Sequence, residues 1–159
     1  ALLAALAQER VAGSSVFDAC VMIGAGAAVL SMSESSAYAG FLGGLQLEWG
    51  EGGRDDTRLA EIVGSYRQRP SLDPYHTAPM VQGTRLLLVQ GARDQAVPAR
   101  LGTMLWDKLG QPERWLAPVG HELLFFAYIP SKSRELLDWI DASIEQAAAQ
   151  PGTGDESGP

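Results

Sequence analysis

The chain has 159 residues, 46% of them hydrophobic, which suits about one packed domain of ~100–200 residues and argues against disorder. Its formal net charge of −7 argues against nucleic acid and anionic membrane surfaces as partners, because both attract clustered Lys and Arg. The single cysteine, Cys20, excludes an internal disulfide and a cysteine-based zinc site, and no apolar stretch reaches the ~20 residues of a membrane span.

The first predicted elements are a helix and a buried strand. Ala1 to Arg10 consists of strong helix formers with no capping residue before it, so we expect this helix to begin upstream of Ala1. Residues 16–23 are β-rich and mostly apolar, which predicts a buried strand that contains an inert Cys20 thiol. Gly24-Ala25-Gly26 follows, but a dinucleotide fingerprint would need glycine where Val29 stands. We therefore interpret this run as a tight turn or a close backbone approach.

Residues 31–79 differ from the rest of the chain because they are rich in glycine and aromatic residues and contain no clear strand. A plain connection of this length is uncommon, so we predict an insertion or lid over the ends of the strands. Its last part, Asp73-Pro74-Tyr75-His76-Thr77-Ala78-Pro79, is predicted to be a rigid loop that leads into the next strand.

The second half of the chain alternates strands and helices. The continuous apolar run Leu86–Val89 predicts a strand buried on both faces of a parallel sheet, and residues 99–109 show the apolar spacing of one helix face. Another strand is predicted near Trp115. The apolar segment at residues 123–130 is predicted to pack under the site and to hold the loop that carries His121. Ser131 is predicted to cap a final helix whose apolar face contains Leu136, Leu137, Ile140 and Ile144, and residues 151–159 are predicted to form a disordered tail.

Two titratable residues follow consecutive predicted strands: Asp94 comes after Gly91, and His121 comes after Gly120. Side chains at the carboxyl ends of neighbouring parallel strands meet in one crevice. A histidine is a suitable general base when a buried carboxylate fixes its tautomer. The alternatives are a turn or helix-capping role for Asp94 and a structural role for His121. The pairing favours a catalytic Asp94–His121 pair, and His76 is interpreted as structural or surface-exposed.

These motifs resemble the C-terminal half of an α/β-hydrolase, over nearly everything from Ala1 to about Gln146. The segment G-A-R-D-Q-A-V-P around Asp94 resembles the acid segment of that family, and V-G-H-E around His121 resembles its base loop. The stretch that begins at Asp73 resembles prolyl-peptidase-like or dienelactone-hydrolase-like members. The resemblance implies a partial α/β-hydrolase fold in residues 1–150, with about three parallel strands, flanking helices and the insertion or lid.

The family's nucleophile motif, G-x-S-x-G, does not occur in the sequence. Ser14 and Ser15 are poor candidates because they follow a predicted helix instead of preceding one. Residues 1–10 resemble the helix that follows the nucleophile turn, so the resemblance implies that the serine and its oxyanion hole lie before Ala1. An N-terminal segment of the same fold is then an expected partner, and this segment alone is expected to be inactive.

The sequence thus predicts a serine hydrolase, esterase first and peptidase second, that acts on a small-molecule ester or a peptide. Asp94 and His121 would supply the acid and base of the triad, and no cofactor or metal is expected. The alternatives are a non-catalytic binding module with the same fold, one half of a split enzyme, or a dehalogenase-like variant with an aspartate nucleophile.

Overall fold

The computed structural model describes residues 17–27, 73–81 and 84–149, and single helical positions at 57, 61, 64, 65 and 68. Its strands are β1 (Ala19–Ile23), β2 (Arg85–Gly91) and β3 (Glu113–Ala117). Its helices are α1 (Pro74–Thr77), α2 (Ala99–Lys108), α3 (His121–Leu123), α4 (Ile129–Ser131) and α5 (Ser133–Ala149). A 3-10 turn (Ala78–Met80) follows α1, and a π-helical turn (Leu124–Tyr128) joins α3 to α4.

The three strands form one parallel sheet in the order β1-β2-β3. Val89 of β2 lies between Ile23 of β1 and Trp115 of β3, and this register brings the carboxyl ends of all three strands to one rim. Residues 86–91 of the central strand are all buried, as its continuous apolar run predicts. The predicted α/β class with three parallel strands and flanking helices is therefore confirmed.

One face of the sheet packs against α1 and α2. Leu86 and Leu88 of β2 lie in a core with Leu105 of α2 and with Ala78, which follows α1. Cys20 and Met22 of β1 complete the apolar contacts on this side. The side chains alternate because successive residues of a strand point to opposite faces.

The opposite face packs against α5 and the π-helical turn. Leu87 and Val89 contact a core that contains Leu124 of the π-helical turn and Leu136 and Trp139 of α5. The sheet is thus covered on both faces, which is the normal arrangement for parallel strands. Because Leu124 lies in this core, the helical segment that begins at His121 is anchored to the sheet.

The segment that begins at Asp73 is helical, so the prediction of a rigid loop is wrong. Asp73 caps α1, since its carboxylate accepts a hydrogen bond from the backbone N–H of Tyr75 at 2.7 Å. Pro74 occupies the first helical position, where its missing N–H costs no hydrogen bond. The same Asp-Pro pair therefore starts a helix instead of a turn.

The start of the final helix also differs from the prediction. Ser131 ends α4, and its hydroxyl donates to the carbonyl of Tyr128 at 2.7 Å instead of capping α5. The buried face of α5 contains Leu136, Trp139 and Ser143, whereas Leu137 and Ile144 are exposed. The apolar spacing located the helix correctly, but the predicted face was shifted.

Several predictions fall outside the described residues. They are the helix at residues 1–10, the residues Ser14 and Ser15, most of the insertion or lid at 31–79, and the tail at 151–159. Among the helices that the structure does describe, none has both the length and the apolarity to cross a membrane.

Candidate functional site

Asp94 lies on the turn that ends the central strand. Its backbone N–H donates to the carbonyl of Gly91 at 3.2 Å, and the N–H of Arg93 donates to the carbonyl of Val119 at 3.1 Å. A Cβ on Gly91 would lie 2.7 Å from that Val119 oxygen, a distance that real Cβ atoms do not tolerate. Glycine at this position therefore allows the loop after β2 to contact the loop after β3.

The carboxylate of Asp94 is buried, with 3% of its side chain exposed. Its Oδ1 accepts a hydrogen bond from the backbone N–H of Val97 at 2.8 Å, just before α2. Its Oδ2 lies 2.8 Å from Nδ1 of His121. Asp94 therefore fills both roles that the sequence allows: Oδ1 caps the turn before α2, and Oδ2 pairs with His121.

His121 is the first residue of α3, immediately after Gly120, and it meets the ends of the other two strands. A Cβ on Gly24, at the end of β1, would lie 3.4 Å from Cε1 of His121 and 3.2 Å from the ring of Phe125. The ring of Phe125 packs against the imidazole at a centroid distance of 5.1 Å. With 27% of its side chain exposed, His121 is enclosed on several sides but still reaches solvent.

The contact between Asp94 and His121 determines which imidazole nitrogen is available for chemistry. A carboxylate accepts hydrogen bonds only, so in the neutral ring Nδ1 carries the proton that it donates to Asp94. Nε2 then has the free lone pair and is the atom that could accept a proton. The same carboxylate stabilises the imidazolium that forms when Nε2 is protonated.

Gly24-Ala25-Gly26 forms a tight turn and a close approach, as the sequence predicts. Gly24 has φ +61, in the left-handed region that glycine tolerates. A Cβ on Gly26 would lie 2.8 Å from the side chain of Val97. The turn therefore brings the end of β1 against the residues that precede α2, next to Asp94.

The other histidine does not join this site. His76 lies in α1, and its ring contacts Tyr75 edge-on at a centroid distance of 5.1 Å. Tyr75 packs on the face of the sheet that carries α2, whereas Leu124, three residues after His121, lies in the core of the opposite face. Nε2 of His76 is buried, so of the two roles that the sequence suggests this position agrees with the structural one.

Cys20 is buried in β1, and burial raises the pKa of its thiol. The raised pKa keeps the sulfur protonated and unreactive, as expected for an inert thiol. Within residues 17–27, 73–81 and 84–149, no group of three or more acidic, cysteine or histidine side chains could hold a metal ion.

Sequence reasoning missed two residues near the pair, Phe125 and Gln90. Phe125 belongs to an apolar segment that was predicted to pack beneath the site, yet Leu123 and Phe126 in that segment are 57% and 83% exposed. Leu124 is buried in the core, and Tyr128 and Ile129 pack against it, as predicted. Phe125 contacts His121, four residues before it, and this i, i+4 spacing is the signal that could have identified it. Gln90 is the one polar side chain in the apolar strand sequence Leu86–Gln90, and that exception could have identified it.

The sequence matches no model of a known protein family, and no curated protein matches it either.

Proposed function

We propose that this chain supplies the acid and the base of a hydrolase that cleaves an ester bond, with amide cleavage as the second choice. The observation that carries the proposal is the 2.8 Å contact between Nδ1 of His121 and the buried carboxylate of Asp94 at the carboxyl rim of a parallel sheet. Ligands of open parallel sheets bind at this rim. The resemblance of the two loops to α/β-hydrolase acid and base segments supports the same proposal.

In the proposed reaction, Nε2 of His121 removes the proton of a serine hydroxyl while the serine oxygen attacks the carbonyl carbon of the substrate. His121 then passes that proton to the leaving alcohol, and an acyl-enzyme remains. Water attacks the acyl-enzyme with His121 again as the base, which releases the acid and regenerates the serine. Asp94 holds the imidazole and stabilises its cation throughout.

Residues 1–159 contain no G-x-S-x-G motif, so the acid and the base are present without a recognisable serine nucleophile. We propose that an N-terminal segment of the same fold supplies the serine. A non-catalytic binding module is the alternative that the missing motif favours. Labelling of the intact protein by a fluorophosphonate probe supports the enzyme, and unlabelled protein with no ester turnover supports the binding module.

The side chains around His121 favour a substrate with an apolar acyl or alcohol group. Phe125 contacts the imidazole and is partly exposed, and its sequence neighbours Leu123 and Phe126 are large and exposed as well. Exposed apolar groups beside a polar reaction centre are typical of sites that bind hydrophobic ligands. Replacing Phe125 with Ala should raise KM for esters with long acyl chains more than KM for acetate esters.

The experiment that tests the function is ester hydrolysis by the intact protein carrying His121→Ala. We expect kcat to fall by at least ~10³-fold, the order seen when a triad member is removed. The matched control is His76→Ala, which removes the other histidine and should leave turnover near that of the unmodified protein. Retained turnover in His121→Ala would rule the assignment out.

A further inference from the structure

Gln90 ends the apolar part of β2 with a buried amide, only 5% exposed, on the face of the sheet that carries α2. Its Nε2 donates to the carbonyl of Ala25 at 3.0 Å, which ties β2 to the turn after β1. A Cβ on Gly102 of α2 would lie 2.8 Å from Cδ of Gln90, so only glycine leaves room for the amide. Three elements therefore fix the position of this side chain.

The carbonyl oxygen of the same amide lacks a hydrogen-bond donor in the described part of the chain. Oε1 of Gln90 is buried and has no hydrogen-bond partner in the part of the chain that the structure describes. An acceptor buried without a partner is costly, so native proteins satisfy such atoms with protein groups or with ordered water. The fixed position of Nε2 prevents the amide from turning to find another donor.

A small cavity beside this amide connects it with the proposed catalytic carboxylate. The cavity has a volume of about 10 Å³, and its lining includes Gln90, Asp94, Gly24, Gly91 and Val97. One water needs a polar cavity of at least ~10–15 Å³ and two or more polar partners. The cavity is thus of the smallest size that holds one water, and it offers two side chains that accept hydrogen bonds.

Asp94 has room for a further hydrogen bond. Each of its oxygens has one partner in the structure, the N–H of Val97 on Oδ1 and Nδ1 of His121 on Oδ2. A carboxylate accepts about four hydrogen bonds in all. A water in the cavity has two protons to donate, one for each of the two acceptors that line it.

We propose that this cavity holds one structural water that donates to Oε1 of Gln90 and to the carboxylate of Asp94. Gln90 is then a positioning residue that acts through the water on Asp94, and through Asp94 on His121. The effect of Gln90 on catalysis rests on the proposed hydrolase function, whereas the presence of the water does not depend on that function.

A high-resolution crystal structure of the intact protein tests the water directly. We expect one ordered water within hydrogen-bond distance, ~2.6–3.2 Å, of both Oε1 of Gln90 and an oxygen of Asp94. A cavity without an ordered water would overturn the proposal. A water that contacts Gln90 but not Asp94 would overturn it as well.

The positioning role is tested by Gln90→Met, which keeps the length of the side chain and removes its polar atoms. We expect the proton NMR signal of His121 Nδ1–H to move upfield, and kcat to fall about tenfold at unchanged KM, the order expected for one hydrogen bond to a charged group. The matched control is Leu88→Met, which introduces the same side chain on the same face of β2. An unmoved His121 signal in Gln90→Met would contradict the role.

Gly102→Ala provides a second route if Gln90→Met fails to fold, because the added Cβ displaces the amide without changing its chemistry. Gly64→Ala, where an added Cβ would meet nothing within 4 Å, is its control. We expect the His121 signal to move only in Gly102→Ala, and an unmoved signal there would reject the role. Turnover retained in His121→Ala would reject the proposed role of His121 as the base and leave the water in place, so the two failures can be told apart.

Discussion

Asp94 uses its two carboxylate oxygens for different tasks. Oδ1 accepts from the backbone before α2, which fixes the carboxylate relative to its own turn. Oδ2 faces His121, whose loop follows a different strand. The backbone bond thus orients the side chain in the free protein, and this preorganisation is what the proposed catalytic role would require.

Gly91 is the residue on which the approach of the two loops depends. In Gly91→Ala the added Cβ would overlap the carbonyl oxygen of Val119, so the loops must separate. We expect a loss of ~1–3 kcal/mol in the free energy of unfolding, the usual cost of overpacking. Chemical denaturation measures this loss. Gly64→Ala should be neutral or slightly stabilising, and equal losses in the two variants would argue against a steric cause.

Cys20 gives a prediction of pH dependence. Burial raises the pKa of its thiol in the folded protein, so the folded state holds this proton more tightly than the unfolded state. The resulting stability is fully present below the pKa of the unfolded thiol and is lost as pH rises through the folded value. Cys20→Ala should therefore flatten the decline of unfolding free energy at alkaline pH. An identical decline in both proteins would contradict the prediction.

At the scale of elements, the helical segment after β3 presents His121 to the rim. It consists of α3, the π-helical turn and α4 without a break, and Leu124 anchors it in the core. π-helical turns are frequent at functional sites. Here the turn buries Leu124 while Phe125 stays against the imidazole.

Helix α5 packs against the same face of the sheet and is hydrogen-bonded to β3. Glu113, at the start of β3, accepts hydrogen bonds from the indole N–H of Trp139 at 2.7 Å and from that of Trp115 at 3.1 Å. This carboxylate links α5 to the strand that precedes the His121 loop. The hydrogen bond between Trp139 and Glu113 joins residues that are 26 positions apart in the sequence.

Glu113→Ala tests this link. The buried indole N–H of Trp139 loses its partner, so we expect a loss of ~1–3 kcal/mol in the free energy of unfolding, measured by denaturation. Glu135→Ala is the matched control, because it removes an exposed glutamate whose partner is Lys132 on the surface. Exposed ion pairs contribute little, so the control should unfold almost as the unmodified protein does. Equal effects would show that the Trp139 link adds nothing.

At the scale of the whole molecule, the sheet brings three strand ends to one rim, and each contributes a residue to the site. Gly24 follows β1, Asp94 follows β2 and His121 follows β3. The apolar runs predicted these strands, and the order acid, helix, base predicted the pair. Both predictions could be made from the sequence because they need only the spacing of apolar residues along the chain and the general rule that parallel strands end at one rim.

Other features depend on contacts between distant residues and could not be predicted from the sequence. The amide of Gln90 meets Ala25 and Gly102, and Gly24 meets Phe125, through packing that no local spacing encodes. The helix that Asp73 caps was missed for a different reason. Asp-Pro is typical of turns as well as of helix starts, so this local pattern does not decide between them.

Asp94 holds His121 in the tautomer with its proton on Nδ1. Nitrogen-15 NMR of the imidazole, recorded at a pH where the ring is neutral, measures this tautomer in the protein and in Asp94→Asn. We expect Nδ1–H alone in the unmodified protein, and a mixture or Nε2–H in Asp94→Asn. An Nε2–H tautomer in the unmodified protein, or the same spectrum in both, would contradict the account.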